Sequence, residues 1–266
     1  MGKTKEKLQR GETTFGGWVM IAHPTVVELM VGEQFDWICL DMEHTSIDMR
    51  SMHECLLAAK GSDVDMLVRL PSHEPSVAKR ALDAGAAGVV VPFVNTGDDA
   101  RAAVAMTKFP PLGNRGASLA RSTDFGRRFK QTFEEHNDRV IVVVMIEHVD
   151  ALDHLDQILT VPGIDATFIG PYDLSASMGL AGQLDHPRVL AAQEKIIAAC
   201  KRHGVPGGYH VVAPNPETVK QRIEEGFRFL ACGIDTEFIV SGCRNMLNSI
   251  PNTPPIVHTL KEFAQQ

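Results

Sequence analysis

Two patterns alternate along the chain. Short runs of nearly unbroken apolar, β-favouring residues are each followed by a stretch whose apolar positions recur every three or four residues. The runs fall at residues 15–21, 35–40, 65–71, 87–92, 140–146, 166–170, 205–209 and 229–232. Helical spacing covers 26–30, 49–59, 77–84, 98–108, 152–159, 187–203 and 217–225, and it resumes from Thr236, with a Pro-rich break before a last helix. Residues up to about Gly11 read as a short amphipathic helix or arm. Thr25 and Asp48 are placed to cap helices at their starts, and Gly85, Gly204 and Gly226 to end them. Residues 112–131 have little periodicity and read as a long functional loop with a short helix. Alternating strands and helices imply a parallel sheet, and eight such units in this length match a closed (β/α)₈ barrel. A doubly wound open sheet is the alternative. No G-x-G-x-x-G follows the first strand and no G-x-x-x-x-G-K-[ST] occurs, so its nucleotide-binding versions lack support.

Composition narrows the field. The 266 residues suit one large α/β domain or two small ones, and at 44% hydrophobic and 22% charged they can bury a sizeable core. A formal net charge of -7 argues against a nucleic-acid partner, which requires a basic face. Five scattered cysteines without a CxxC pair point to reduced thiols and a cytoplasmic protein. The charged N-terminal residues lack a following apolar segment, so no signal peptide is expected. No run approaches the roughly 18 apolar residues of a membrane helix.

In a barrel, the strand ends share one pocket. The run from Phe35 to Leu40 gives way at once to Asp41, Glu43 and His44. Arg69 ends the third run, Glu147 follows the fifth, and Asp173 follows the sixth by a few residues. Glu147 and Asp173 leave two readings open. Either they share a cation, for which oxygen-only ligation suits Mg²⁺ or Mn²⁺, or they are unrelated carboxylates paired with separate arginines or lysines. Arg69 could grip a carboxylate or polarise a ketone oxygen, or simply cover the rim. His44, three residues after Asp41, has the spacing of an oriented general base, or of a surface histidine beside acids. His23, His148 and His210 near strand ends read as pocket-wall or hydrogen-bonded residues rather than catalysts. No lysine ends a strand, so Schiff-base aldol chemistry has no candidate.

Several of these residues lie in motifs that resemble the HpcH/HpaI aldolases, metal-dependent class II pyruvate aldolases. The motifs are Leu40-Asp41-Met42-Glu43-His44, Val68-Arg69, Val91-Pro92, Phe109-Pro110-Pro111-Leu112-Gly113-Asn114-Arg115-Gly116, Ile146-Glu147 and Phe168-Ile169-Gly170-Pro171-Tyr172-Asp173-Leu174-Ser175. Gly233-Ile234-Asp235-Thr236 is a weaker echo. The resemblance implies a single TIM-barrel domain over 1–266, with a C-terminal helical extension from about 236 exchanged between subunits of a homo-hexamer. It implies that 4-hydroxy-2-oxoacids are cleaved to, or formed from, pyruvate and an aldehyde. Glu147 and Asp173 would ligate Mg²⁺, Mn²⁺ or Co²⁺, chelated by pyruvate through ketone and carboxylate oxygens. Arg69 would stabilise the enolate oxygen, and His44, oriented by Asp41, would act as acid/base through a metal-bound water. Gly170, Pro171, Tyr172 and Asp173 would hold the pyruvate carboxylate, His210 would line the substrate site, and Asp83 would serve a neighbouring subunit's site.

The chain departs from that family's pattern at Met42, where glycine is usual, and at Met145, where a substrate-contacting glutamine is common. The loop from Ser118 to Arg127 is only loosely similar. Met145 makes the pocket less polar and points to a less hydroxylated or bulkier aldehyde. Two rivals remain from the sequence: a citramalyl- or malyl-CoA lyase, which needs a basic groove for CoA phosphates, and a non-catalytic pyruvate-binding module, against which intact Asp41, His44 and Arg69 argue.

Overall fold

A computed structural model describes residues 2–251. Eight strands form one sheet: β1 Thr14–Val19, β2 Trp37–Asp41, β3 Asp65–Arg69, β4 Gly88–Val91, β5 Ile141–Met145, β6 Ala166–Phe168, β7 Gly208–His210 and β8 Phe229–Ile234. All neighbours are parallel, in the order β6-β5-β4-β3-β2-β1-β8-β7. The ends meet through a parallel bridge between Ile169 and Tyr209 and backbone bonds from Thr167 to Pro206 (2.9 Å) and Ile169 to Gly208 (3.0 Å). The architecture is a (β/α)₈ barrel, and the open-sheet alternative falls.

Both strand faces are buried, which is why the strands read as continuous apolar runs rather than as alternating ones. One set of alternate residues fills the barrel: Trp18, Trp37, Cys39, Leu67, Val90, Ile141, Val143, Phe168 and Phe229. The intervening set, including Ile38, Leu40, Val68, Val89, Val142 and Val144, packs outward under the helices. Trp37 stacks on Phe229 at 4.1 Å between ring centroids, and Trp18 on Phe168 at 5.4 Å. The Trp37 ring requires glycine opposite, because a Cβ at Gly16 would lie 2.2 Å from the indole.

Helix α1 (Lys3–Gln9) sets Leu8 against the barrel interior. The others are α2 Pro24–Val31, α3 Met49–Ala58, α4 Pro75–Asp83, α5 Gly97–Ala105, α6 Phe129–Arg139, α7 Leu155–Leu159, α8 Pro171–Ser177, α9 Pro187–His203, α10 Pro216–Glu225 and α11 Asp235–Asn248. Asp48 caps α3 in a reciprocal capping box with Ser51, as its position predicts. Thr25 does not cap α2; His23 does, its Nδ1 accepting the Thr25 N–H at 3.2 Å. The long segment after Leu112 contains a 3₁₀ turn at Arg121–Thr123 and then α6, a helix the periodicity does not announce. The expected final helix lies outside the described residues. Among the described residues, no helix is long and apolar enough to cross a membrane.

Candidate active site

Period-two alternation brings three ionisable side chains to the C-terminal mouth of the barrel, and the helix after β6 adds a fourth. Asp41 and Arg69 are register partners on β2 and β3, each two residues beyond an inward-facing neighbour, Cys39 or Leu67. On the same count Glu147 lies two residues beyond Met145, and it is fully buried. Asp173 sits in the first turn of α8, directly beyond β6.

Arg69 is the hub. Its Nε and Nη2 grip the two oxygens of Asp41 at 3.0 and 2.5 Å, a fork-to-fork pair. Nη1 forms an ion pair with Glu43 Oε2 at 3.0 Å. The guanidinium lies over the Trp18 ring, 5.3 Å from its centroid. Burial opposes its charge, but Asp41, Glu43 and Glu147 outweigh that and hold its pKa above the ordinary value. Asp41 is saturated. It also accepts the Trp18 indole N–H at 3.1 Å and the backbone N–H groups of Glu43 (2.9 Å) and His44 (3.2 Å). Burial would raise its pKa, yet the Arg69 and Trp18 hydrogen bonds keep it below the usual carboxylate range.

This geometry corrects one expectation. Asp41 does not orient the His44 imidazole; it holds Arg69 and the backbone of the His44 turn. The half-exposed imidazole faces Glu43 instead, with Nε2 3.7 Å from Oε2. Glu43 therefore touches both Arg69 and His44. Burial, Asp41 and Asp173 raise its pKa against the pull of Arg69 and His44.

Glu147 is the least satisfied group at the mouth. Oε1 accepts the Phe93 N–H at 2.9 Å, whereas buried Oε2 has no hydrogen-bond partner. Burial, and then the negative charges of Asp173 and Glu43, push its pKa up to about 8 despite the Phe93 N–H and Arg69. A buried carboxyl with a free oxygen beside further acids lacks a positive charge. The space at Oε2 is kept open by Gly170, where a Cβ would lie 2.6 Å from that oxygen. Two carboxylates are hard oxygen donors that leave coordination positions to water and substrate, so Glu147 and Asp173 fit a Mg²⁺- or Mn²⁺-type ion. Among the described residues, no cluster of three or more His, Cys, Asp or Glu side chains is placed to hold a metal.

Phe93, which holds Glu147, has φ of 47°, a left-handed conformation costing a phenylalanine roughly 1–3 kcal/mol. No sequence signal marks it. The preceding carbonyl, of Pro92, meets His73 Nε2 at 2.5 Å. Asp235 clamps the neighbouring β1–α2 loop, its carboxylate accepting the N–H groups of Met20 and Ile21 at 2.9–3.1 Å.

Met145 is buried among the interior side chains, its Cε 3.3 Å from where a Gly170 Cβ would stand. His210 packs against Trp18 at 4.7 Å and Phe168 at 5.7 Å, with Nε2 buried and unpartnered. Burial, then the charge of Arg69, lowers its pKa to about 3, so the ring is neutral. Gly170 and Pro171 sit at the start of α8 with Tyr172 half-exposed beside them. Asp83 is not brought to this cluster within the chain. It ends α4, bound to Arg115 at 2.6 Å and Ser118 at 2.9 Å.

Known proteins resemble this chain over most of its length. A family model described as HpcH/HpaI aldolase/citrate lyase matches residues 14–241. A 2-dehydro-3,6-dideoxy-6-sulfogluconate aldolase of Pseudomonas putida is 37% identical over 241 residues, spanning 90% of this chain and 93% of its own. A 5-keto-4-deoxy-D-glucarate aldolase of Klebsiella pneumoniae is 36% identical, over 88% of this chain and 90% of its own. The crystal structure of an HpcH/HpaI aldolase/citrate lyase family protein from Burkholderia cenocepacia superposes with a TM-score of 0.89 at 34% identity, over 93% of this chain and 98% of that one.

Proposed function

The chain belongs to the HpcH/HpaI aldolase/citrate lyase family, and from that premise we propose that this class II aldolase cleaves 4-hydroxy-2-oxoacids to pyruvate and an aldehyde, or runs the reverse addition, with a divalent metal at Glu147 and Asp173. The observation that carries the reading is the buried, unpartnered Glu147 Oε2 beside Asp173, set against a guanidinium already locked by Asp41.

Cleavage takes the proton from the C4 hydroxyl, breaks the C3–C4 bond and moves that electron pair toward the pyruvate fragment's ketone oxygen. C3 then takes up a proton to give pyruvate. His44, at the mouth beside Glu43, accepts the hydroxyl proton. Arg69 is the fixed cation for charge developing at the ketone oxygen, and its pairs with Asp41 and Glu43 remove the cost of reorienting it. Mg²⁺, Mn²⁺ or Co²⁺ held by Glu147 and Asp173 supplies Lewis-acid polarisation when bound. The first-turn amides of Tyr172 and Asp173, which lack carbonyls one turn earlier, take the pyruvate carboxylate. Neutral His210 lines the site beside Trp18.

The two relatives are named for sulfogluconate and glucarate derivatives. For this chain the apolar Met145 wall supports a less hydroxylated or bulkier aldehyde. We place it in the cytoplasm as a homo-hexamer with exchanged C-terminal helices. The exposed Ile239, Val240, Met246 and Leu247 on α11 support burial of that helix between subunits, and Asp83 would serve a neighbour's site. The test is a panel of 4-hydroxy-2-oxoacids with pyruvate release followed by coupling to lactate dehydrogenase. Release is expected, fastest with apolar C4 substituents. No pyruvate from any member refutes the reaction, and a preference for sugar acids refutes the Met145 argument.

A further inference from the structure

One peptide group connects a residue outside the catalytic cluster to the metal carboxylate. The Pro92–Phe93 peptide uses both of its polar atoms: its N–H donates to Glu147 Oε1 at 2.9 Å, and its carbonyl meets His73 Nε2 at 2.5 Å. A carbonyl only accepts, so Nε2 carries the hydrogen. His73 lies on the loop between β3 and α4, half-buried, and belongs to none of the motifs or roles assigned above. We infer that His73 is a positioning residue for Glu147, acting through this peptide to keep Oε1 anchored and Oε2 directed at the cation.

The strained backbone makes the tie necessary. Phe93 sits at φ of 47°, which a phenylalanine leaves readily for negative φ. A peptide plane turns by paired changes in ψ of the residue before it and φ of the residue after it. Relaxation at Phe93 therefore swings its N–H away from Glu147 and frees the carboxylate. The His73 bond opposes that turn, because the same rotation pulls the carbonyl off Nε2. In a chain of donor, peptide and carboxylate, each bond also polarises the next. Glycine in place of Phe93 would hold the same φ without strain, so the arrangement depends on His73 only because this position is not glycine.

This inference rests on the metal reading of Glu147, and the experiment separates the two. Mn²⁺ is titrated calorimetrically into metal-stripped protein. Partners of this kind typically change metal affinity 10–100-fold, so His73→Leu is expected to raise the Mn²⁺ Kd at least about tenfold. His73→Gln, which restores an N–H at similar reach, is expected to stay within about threefold of wild type. In a Phe93→Gly background, His73→Leu is expected to cost less than about threefold, because the strain it holds is gone. A Kd for His73→Leu within about twofold of wild type, while Glu147→Gln abolishes binding, overturns the role of His73 and leaves the metal reading standing. Equal losses in the His73→Leu and His73→Gln variants, or an undiminished loss in the Phe93→Gly background, also overturn it. Undisturbed Mn²⁺ binding by Glu147→Gln overturns the metal reading itself.

Discussion

Glu147→Gln in the metal-free protein tests the electrostatics of the site without any substrate. The carboxyl is carried from its ordinary 4.5 to about 8, chiefly by burial. At about 1.4 kcal/mol for each tenfold change, ionising it in the folded chain costs up to about 5 kcal/mol relative to the unfolded one. Between those two values the folded protein holds a proton that the unfolded chain has released. Stability is therefore full below about pH 4.5 and declines as pH rises toward 8. Glutamine keeps the shape and the acceptor for the Phe93 N–H but has no proton to lose. Thermal melts of EDTA-treated wild type and variant across pH 5 to 8.5 measure the difference. A chain of this size shifts roughly 2–4 °C per kcal/mol, so the variant should exceed wild type by on the order of 10 °C at pH 8 and by little at pH 5. Adding Mn²⁺ at pH 8 should raise the wild-type midpoint and leave the variant unmoved. Melting curves that track each other across the range would refute the claim that Glu147 is a buried charge awaiting a cation.

Other consequences follow from individual contacts. Arg69→Lys keeps a positive charge but loses the fork to Asp41, and kcat for pyruvate release should fall about 10²-fold with the fold intact by circular dichroism. Trp18→Phe removes the indole donor to Asp41 at 3.1 Å and should cost about 2 kcal/mol in urea unfolding; an unmoved midpoint would show that bond to be immaterial. Gly170→Ala sets a methyl 2.6 Å from Glu147 Oε2, so electron paramagnetic resonance should show Mn²⁺ affinity down about tenfold; unchanged affinity would place the ion elsewhere. Met145→Gln should move the kcat/KM ratio toward hydroxylated acceptors by about tenfold, and an unmoved ratio would remove Met145 from the specificity wall.

Much of the fold was legible because both strand faces are buried. Ile38 and Leu40 face the helices while Trp37 and Cys39 face the barrel, so β2 reads as one apolar run that stops where the mouth begins. The same alternation placed Arg69 and Glu147 at the mouth. It also contained the answer that the i, i+3 spacing of Asp41 and His44 obscured. Asp41 and Arg69 both end strands and are cross-strand partners, which makes the guanidinium the natural recipient of that carboxylate. Helix α6 went unread because none of its residues is buried, leaving no apolar periodicity. Helix α8 is only seven residues long, too short for a periodic signature. The left-handed Phe93 and its link to His73 have no sequence signal, since the partners, His73 and Glu147, come from segments distant in the chain.

On the proposed mechanism, catalysis requires a divalent cation held by Glu147. The direct measurement is retro-aldol release of pyruvate, coupled to lactate dehydrogenase, before EDTA treatment, after it, and after Mg²⁺ or Mn²⁺ is restored, in wild type and Glu147→Gln. Activity in wild type should disappear with the metal and return with it, and the variant should stay inactive throughout. Full activity after complete metal removal, or an active Glu147→Gln enzyme, would contradict the account.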